Sequence, residues 1–216
     1  MAMTKCSCSL IGSGSKRIQM AFTYAVALTG SIATGKSTVV TFFSAFGFEI
    51  IDADKIAHDI LNEEHKAIAS LFGEDVIKDE KVDRKTLGSI VFSSAEKRGE
   101  LEALLHPLIY TRIERLATLL DEQKKPYLVD IPLFFEGKRY PIEKVLVIYT
   151  PSDLQLQRLM QRESISKEEA QKRIDIQISI EEKRKKADYV IDNSGTLAAL
   201  KRECTRVKEE ILGAFR

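Results

Sequence analysis

The sequence predicts an α/β fold with three layers, in which a five-stranded parallel sheet lies between helices. Two observations predict this fold. Five short segments are apolar at nearly every position, as in strands buried on both faces of a parallel sheet, and helical stretches separate them. The first segment leads into a loop with two glycines and then into a helix, which is the order found at the ligand-binding edge of such sheets.

We predict strands at residues 24–29, 48–52, 127–131, 144–149 and 189–192. A helix over residues 37–46 follows the first strand, and Gly47 supplies its stop signal. The last helix is predicted over residues 197–212, where apolar residues recur every three or four positions. Parallel strands that alternate with helices require right-handed crossovers between neighbouring strands.

The loop after the first strand has the phosphate-binding pattern G-x-x-x-x-G-K-[ST]. Its glycines let the backbone wrap closely around a phosphate, and its amides point at the anion from a helix N-terminus. Lys36 adds a cation for the outer phosphates of a nucleotide, and the Ser37 hydroxyl can ligate Mg²⁺. The predicted phosphate-binding residues are Gly30, Ser31, Ile32, Ala33, Thr34, Gly35, Lys36, Ser37 and Thr38.

Polar residues mark the predicted starts of further helices. Thr150 as N-cap and Pro151 at the first helical position predict a helix after the fourth strand. Capping boxes, in which a serine precedes a glutamate by three residues, are present at Ser93, Ser166 and Ser179. These signals indicate that the long segments between strands are helical.

Two of the segments between strands are insertions into the nucleotide-binding core. Residues 53–125 are too long for one crossover helix, contain no predicted strand, and include predicted helices at residues 84–92, 95–105 and 107–123. Residues 151–186 are charged and rich in arginine. Insertions on both sides of a phosphate loop predict a substrate platform and a closing lid. The core itself is predicted at residues 24–52, 126–150 and 187–216.

Composition restricts the classes of function. Hydrophobic residues make up 44% and charged residues 30% of the chain, as is usual for globular proteins. The net charge of +1 does not indicate binding to nucleic acid or to a membrane surface. The cysteines, Cys6, Cys8 and Cys204, form no disulfide framework, so we expect a cytoplasmic protein. Residues 1–23 lack helical or strand periodicity and are predicted to be a disordered or extraneous extension.

Acidic residues follow the second predicted strand, where ligands sit in an open parallel sheet. We expect Asp54 to accept the proton of a hydroxyl group that attacks a γ-phosphate, and Asp52 to contact substrate. Helix capping is the alternative role for either residue, because aspartate is a preferred N-cap. His58 lies four residues after Asp54 and either orients its carboxylate and contacts substrate or is a surface histidine.

Asp130 ends the third predicted strand, where an acid would hold Mg²⁺ or contact substrate; a bond to a loop amide is the alternative. Arg158 and Arg162 are four residues apart, so both project from one face of a lid helix. Their guanidinium groups match phosphate oxygens, although salt bridges to Glu163 or Glu168 would serve a solvated helix equally well.

Three further residues are assigned to substrate binding. Lys183 opens a basic run over residues 183–186, which in most proteins is a solvated face, but here lies in the predicted lid. His106, before Pro107, either lines the acceptor pocket or marks a break between two helices. Gln177, also in the lid segment, is the third.

The chain resembles the dephospho-coenzyme A kinases, which are P-loop kinases related to the nucleoside-monophosphate kinases. The resemblance extends from Tyr24 to the C-terminus and depends on several segments that occur together in this order. These are residues 27–30 with the phosphate loop, 51–58, 101–108, 129–136, 155–162 and 187–195.

The resemblance implies transfer of the γ-phosphate of ATP to the 3′-hydroxyl of the ribose in dephospho-coenzyme A, the last step of coenzyme A synthesis. It implies that Asp54 is the general base, that the helical insertion binds the acceptor, and that Asp192 and Asn193 lie on the adenine side. ATP and Mg²⁺ are the implied cofactors. Ser31 and Ala33 replace residues that are often glycine in the family, and we expect the loop to close normally.

Three alternative functions share the phosphate-binding loop. A GTPase is disfavoured because no glycine follows Asp130 at the required spacing and no lysine follows Asn193 in a guanine-binding motif. A kinase for another small hydroxyl acceptor, such as a nucleoside or nucleotide, shares the fold and the mechanism. A nucleotide-binding module without catalysis would show no turnover. Beyond the small-molecule substrate we expect no nucleic acid or membrane partner, and a monomer or weak oligomer.

Overall fold

The computed structural model describes residues 21–137 and 139–216. Its strands are β1 (Ala25–Gly30), β2 (Ile50–Asp52), β3 (Ile77–Lys78), β4 (Lys81–Val82), β5 (Tyr127–Asp130), β6 (Lys144–Tyr149) and β7 (Tyr189–Asp192). Its α-helices are α1 (Lys36–Ala45), α2 (Ala53–Glu63), α3 (His65–Phe72), α4 (Arg84–Ser93), α5 (Ala95–Asp121), α6 (Phe134–Gly137), α7 (Ser152–Glu163), α8 (Lys167–Asp175), α9 (Ile180–Lys185) and α10 (Leu197–Ala214). A 3₁₀ turn at Glu74–Val76 precedes β3.

The main sheet has five parallel strands in the order β2-β5-β1-β6-β7. Every residue of β1 is buried, because this strand is central and covered by helices on both faces. The carboxyl ends of β1, β2 and β5 lie side by side, with Asp52 of β2 paired in register with Asp130 of β5. The phosphate loop and the predicted acids therefore share one edge of the sheet.

Helices α1 and α10 cover one face of the sheet. Phe43 of α1 and Val207 of α10 are fully buried in one apolar cluster with Leu28 of β1. Cys204 belongs to this cluster, and its burial raises the pKa of the thiol to about 11. This packing forms the first helical layer.

Helices α2, α5 and α9 pack on the other face. Ile60 of α2, Ile113 of α5 and Ile180 of α9 belong to one apolar cluster with Val129 of β5 and Val147 of β6. The predicted three-layer α/β architecture is confirmed, and the predicted strands are present with ends that differ by up to two residues.

The region between β2 and β5 differs from the prediction in two ways. It contains a short antiparallel hairpin, β3 and β4, although no strand was predicted there. It also contains one continuous helix, α5, in place of two helices separated at His106 and Pro107. Proline removes one backbone hydrogen bond, but α5 packs against α2 and α4 and buries Leu105 and Ile113 on the two sides of the proline. Tertiary packing therefore outweighs the local break signal.

The capping predictions were partly right. Ser166 and Ser179 accept hydrogen bonds from the amides of Glu169 and Glu182, as capping boxes require. The cap of α5 is Ser94 rather than Ser93, and the cap position of α7 is Pro151 rather than Thr150. The Thr150 hydroxyl instead donates to the carbonyl of Thr34 in the phosphate loop.

The predicted boundary of the N-terminal extension, residues 1–23, lies too far toward the C-terminus. Phe22 is buried and contacts the ring of Tyr140 edge-on, at 6.1 Å between centroids. The carboxylate of buried Asp121 accepts the amides of Thr23 and Tyr24 at 3.0 and 2.9 Å. Residues 21–23 thus belong to the folded unit, whereas residues 1–20 lie outside the described residues. In the described part of the chain no helix combines the length and apolar character needed to cross a membrane.

Candidate active site

The phosphate loop connects β1 to α1 as a tight turn. Thr34 donates both its amide and its hydroxyl to the carbonyl of Ser31, which closes the turn. Gly35 occupies the N-cap position of α1 with φ 83°, a left-handed conformation in which glycine has no steric cost. Ala33 also has a positive φ, 62°, a left-handed conformation that costs energy for a residue with a Cβ.

The start of α1 is suited to an anion. The first amides of a helix have no intrahelical acceptor, and no side chain caps them in α1. No acidic residue occupies the first turn. Partial positive charge therefore remains available beside Lys36 and Ser37 for phosphate oxygens.

Residues from distant parts of the chain form hydrogen bonds with the phosphate loop. The carbonyl of Thr34 accepts hydrogen bonds from Asn193 Nδ2 at 2.8 Å and from Thr150 Oγ1 at 3.2 Å. Gln177 Oε1 accepts the amide of Ile32 at 3.0 Å. The loop conformation thus depends on β6, β7 and the lid segment as well as on its own glycines.

Replacing Gly35 with alanine is expected to weaken ATP binding by about tenfold and to lower stability by about 1–2 kcal/mol. A Cβ at this position would have φ 83° and would collide with the Asn193 amide, so the loop must shift. Calorimetric titration with an ATP analogue and thermal unfolding measure the two effects. Gly213→Ala in α10 is the matched control, because no atom lies within 4 Å of its added Cβ; equal effects of both substitutions would contradict the prediction.

Lys36 and Asp130 form an ion pair across the loop. Asp130 is buried, and desolvation raises the pKa of its carboxyl although the ammonium of Lys36 opposes the shift. The negative charges of Asp52 and Asp54 add to the increase. Asp130 therefore depends on a nearby cation to stay ionised at this edge of the sheet.

Asp52 and Asp54 have different surroundings. Asp52 is the N-cap of α2, and its carboxylate accepts the amide of Lys55 at 2.9 Å. Asp54 lies in the first turn of α2 and lines two neighbouring clefts. Helix capping is thus the role of Asp52, whereas Asp54 is exposed at the two clefts.

The first of these clefts, called the phosphate-loop cleft, has a volume of about 390 Å³. It is lined by residues 30–37 together with Asp54, Pro132, Arg162 and Gln177. The second, called the larger cleft, has a volume of about 600 Å³. Its lining residues come from α2, α5, the segment that follows β5 and the lid segment, and are Ala53, Asp54, Ala57, His106, Ile109, Ile131, Pro132, Leu133, Phe134, Glu136, Gly137, Arg139, Tyr140 and Gln177.

The lid arginines lie beside the phosphate loop. Arg158 and Arg162 line a pocket of about 430 Å³ with Ala33, Gly35 and Ser37. Arg158 also donates to Thr150 Oγ1 at 3.4 Å. Arg162 donates to Glu163 at 2.7 Å, so the salt bridge considered as an alternative is present, but its side chain is 58% exposed and still faces the phosphate-loop cleft.

Two histidines predicted to bind substrate differ in position. His106 lines the larger cleft, where burial and the charge of Arg139 lower the pKa of its imidazole, so the ring is neutral at neutral pH. His58 is exposed and contacts Asn62, which donates to its carbonyl at 3.1 Å. A role in orienting Asp54 does not fit this arrangement of His58.

The predicted substrate contact of Lys183 does not fit the structure. Its side chain is fully buried, and its ammonium donates to the carbonyl of Gly30 at 3.0 Å and pairs with Glu136 at 2.9 Å. Asn193 is also buried and donates to the carbonyl of Thr34, and Asp192 accepts the amide of Ser194 at 2.8 Å. Neither residue lines the clefts described above. Local sequence signals for helices and turns contain no information on such contacts between distant residues.

Gln177 and Thr38 are the remaining residues of the predicted site. Gln177 lines both clefts. The amide of Thr38 donates to the carbonyl of Gly35 at the start of α1, and Thr38 is outside the lining of the phosphate-loop cleft. Sequence reasoning assigned no role to Glu136, Arg139 or Tyr140, which line the larger cleft, although residues 129–136 were among the segments of the resemblance.

Metal binding by protein side chains alone is not indicated. Within residues 21–137 and 139–216 no group of three or more histidine, cysteine or acidic residues is arranged to hold a metal ion. Of the two residues predicted to hold Mg²⁺, Ser37 lines the phosphate-loop cleft, and Asp130 is paired with Lys36 of the loop.

The strand order and the phosphate loop at the carboxyl edge of the sheet define the class of the protein, a P-loop kinase. A family model described as dephospho-CoA kinase matches residues 24–199. The chain belongs to the dephospho-CoA kinase family.

Individual relatives agree with this family. The dephospho-CoA kinase of Sulfurimonas denitrificans is 46% identical over 196 residues, which cover 91% of this chain and 98% of the relative. That of Wolinella succinogenes is 46% identical over 194 residues, covering 89% and 96%. The solved structure of dephospho-CoA kinase from Campylobacter jejuni has a TM-score of 0.73 and 43% identity, and the match covers 89% of this chain and 99% of that one.

The predicted function is therefore confirmed. The enzyme is an ATP-dependent kinase that phosphorylates the ribose 3′-hydroxyl of dephospho-coenzyme A, the last step of coenzyme A biosynthesis. Its substrate is a small molecule, as expected.

Proposed function

We propose that Asp54 is the general base of this reaction and that the phosphoryl group moves in line from ATP to the acceptor hydroxyl. The position of Asp54 carries the proposal, because its carboxylate borders both the phosphate-loop cleft and the larger cleft. A γ-phosphate on the loop and a ribose hydroxyl in the larger cleft would meet beside it. A base within hydrogen-bond reach of the hydroxyl accelerates proton transfer by about 10²–10⁴-fold.

The triphosphate of ATP would occupy the phosphate-loop cleft. The uncapped amides of α1 and the ammonium of Lys36 would stabilise the negative charge on its outer oxygens. Because Lys36 pairs with Asp130 here, incoming phosphates would share this cation with the buried acid.

Ser37 and Asp130 are the proposed holders of Mg²⁺, which would neutralise charge on the β and γ phosphates. The support is the chemistry of the two groups, because the Ser37 hydroxyl belongs to a residue that lines the phosphate-loop cleft and the buried carboxylate of Asp130 pairs with Lys36 of the loop. Within the protein, Asp130 would then keep its negative charge through two cations, since burial alone favours its protonated form.

Arg158 and Arg162 would hold the γ-phosphate from the lid side. Both border the same pocket above Ala33, Gly35 and Ser37. Their guanidinium groups can form paired hydrogen bonds with phosphate oxygens and reduce access of water to the transferring group.

The larger cleft is the proposed site of dephospho-coenzyme A. Its apolar and aromatic lining, including Phe134 and Tyr140, suits the adenine ring. Neutral His106 can accept or donate a hydrogen bond, and Arg139 supplies a cation for the diphosphate group. Asp54 lies between this lining and the phosphate loop.

A coupled assay of ADP release tests the acceptor site. We expect kcat/KM for dephospho-coenzyme A to exceed the values for AMP, adenosine and pantetheine by about 10²-fold or more, since a site that pairs with polar groups of its substrate rejects analogues lacking them. Turnover of adenosine or AMP with equal efficiency would contradict the assignment of the larger cleft. ADP release without any acceptor measures the hydrolysis of ATP by water that the lid does not exclude.

We further propose a cytoplasmic monomer or weak oligomer. Cysteine usage supports the cytoplasmic compartment, since the sole cysteine of the described residues, Cys204, is a buried free thiol. Sedimentation analysis of the purified protein tests the oligomeric state.

A further inference from the structure

Lys183 is a buried cation between the two clefts. Its side chain is completely inaccessible to solvent, and a buried ammonium is tolerated only with close partners. One partner is the carbonyl of Gly30, the first residue of the phosphate loop, at 3.0 Å. The other is Glu136 Oε1, at 2.9 Å. Neither contact is used by the reaction proposed above.

Glu136 connects this cation to the wall of the larger cleft. It belongs to α6, and its side chain contributes to the cleft lining. Its Oε1 also accepts the amide of Ile178 in the lid segment at 3.1 Å. Its Oε2 is buried and has no hydrogen-bond partner within the described residues, so the protein does not fully satisfy this carboxylate.

A second contact also joins the lid segment to the phosphate loop. Gln177, next to Ile178, lines both clefts and accepts the amide of Ile32 in the phosphate loop. The lid segment therefore contacts the phosphate loop at residues 30 and 32. Glu136 contacts the same lid segment from the wall of the larger cleft. A movement of α6 must move the carboxylate, and the buried ammonium cannot lose that partner without a large cost.

We propose that the Lys183–Glu136 pair is a positioning device that couples occupation of the larger cleft to the conformation of the phosphate loop. Acceptor bound against α6 fixes Glu136, and through Lys183 it fixes the carbonyl of Gly30 and the start of the loop. Each substrate then binds more tightly when the other is present, since coupling between two sites is reciprocal. This inference rests on the proposed function, because it takes the larger cleft as the acceptor site.

The test is the affinity for a non-hydrolysable ATP analogue, measured by calorimetric titration without and with saturating dephospho-coenzyme A. For the unmodified enzyme we expect the acceptor to tighten analogue binding by about fivefold or more, the usual range of coupling between sites. For the double variant Lys183→Met with Glu136→Gln we expect a ratio near one. Removing both charges leaves no buried charge unpaired, so the double variant is expected to fold even where a single substitution does not.

Two further variants separate positioning from general stability. Glu136→Gln alone retains the shape and the hydrogen-bond acceptor, and it is expected to lower the ratio between the two affinities. Lys185→Met is the matched control, because Lys185 lies exposed on the same helix α9, and it is expected to keep the ratio of the unmodified enzyme. Thermal unfolding of each variant reports stability separately, and a merely structural pair would change the melting temperature without changing the ratio.

Two outcomes would overturn the inference, namely a ratio of one in the unmodified enzyme, or a double variant that keeps the full ratio. Failure of the proposed function is a different result, since the unmodified enzyme would then release no ADP with dephospho-coenzyme A or would fail to bind it. The two failures are therefore distinguished in the same set of titrations and assays.

Discussion

Asparagine in place of Asp54 is expected to lower kcat by about 10²–10⁴-fold, because the amide cannot accept the proton of the acceptor hydroxyl. The affinity for ATP should change much less, since Asp54 borders the phosphate-loop cleft without belonging to the loop. Substitution by asparagine preserves side-chain size at an exposed position, so stability should be nearly unchanged. Single-turnover kinetics separate the chemical step from product release.

The matched control is Asp59→Asn, which makes the same change further along α2, where Asp59 is exposed and outside the lining of both clefts. It should leave kcat within about twofold, as is typical of surface substitutions. If Asp54→Asn transferred phosphate as fast as the unmodified enzyme, the general base would have to be sought elsewhere on the edge formed by β2 and β5.

Methionine in place of Lys36 is expected to lower kcat/KM for ATP by about 10²–10³-fold, the usual effect of removing one group that stabilises charge in the transition state. It should also lower stability at neutral pH, because buried Asp130 loses the cation that offsets its desolvation. Initial rates and thermal unfolding measure the two effects.

The stability effect of Lys36→Met should depend on pH in a defined direction. Burial raises the pKa of Asp130, and removal of the ammonium raises it further. A carboxyl with a raised pKa binds more protons in the folded than in the unfolded state, so the stability of the variant falls as pH rises above the unfolded pKa. The deficit of the variant relative to the unmodified enzyme should therefore shrink as pH is lowered toward 4.

The double variant Lys36→Met with Asp130→Asn isolates this electrostatic cause. It removes the buried acid together with its cation, so unfolding at neutral pH should return toward the unmodified value while activity stays low. A stability deficit in Lys36→Met that is the same at pH 4 and pH 8, or that persists in the double variant, would contradict the ion-pair explanation.

The features that could be predicted from the sequence are those encoded locally. The phosphate loop, the buried strands and the acids at strand ends depend on short patterns, and β2 and β5 bring Asp52 and Asp130 into register as parallel strands require. Two of the capping boxes are equally local, because the serine and the glutamate are three residues apart.

The features that were missed depend on contacts between distant residues. Lys183 has the sequence context of a solvated basic run, but its side chain is buried and pairs with the carbonyl of Gly30 and the carboxylate of Glu136. Pro107 carries a break signal, but packing on both sides keeps α5 continuous. Thr150 has the chemistry of an N-cap, but its hydroxyl donates to Thr34 instead. In each case contacts with distant residues override the local signal.

Burial of Cys204 between α10 and the sheet makes this thiol a reporter of opening at that interface. A thiolate is the form that reacts with alkylating reagents, and both the raised pKa and the packing suppress it in the native enzyme. With Cys6 and Cys8 replaced by serine, the rate of thiol labelling would follow detachment of the C-terminal helix. Kinetic stability of the enzyme could then be measured without substrate, nucleotide or any assay of turnover.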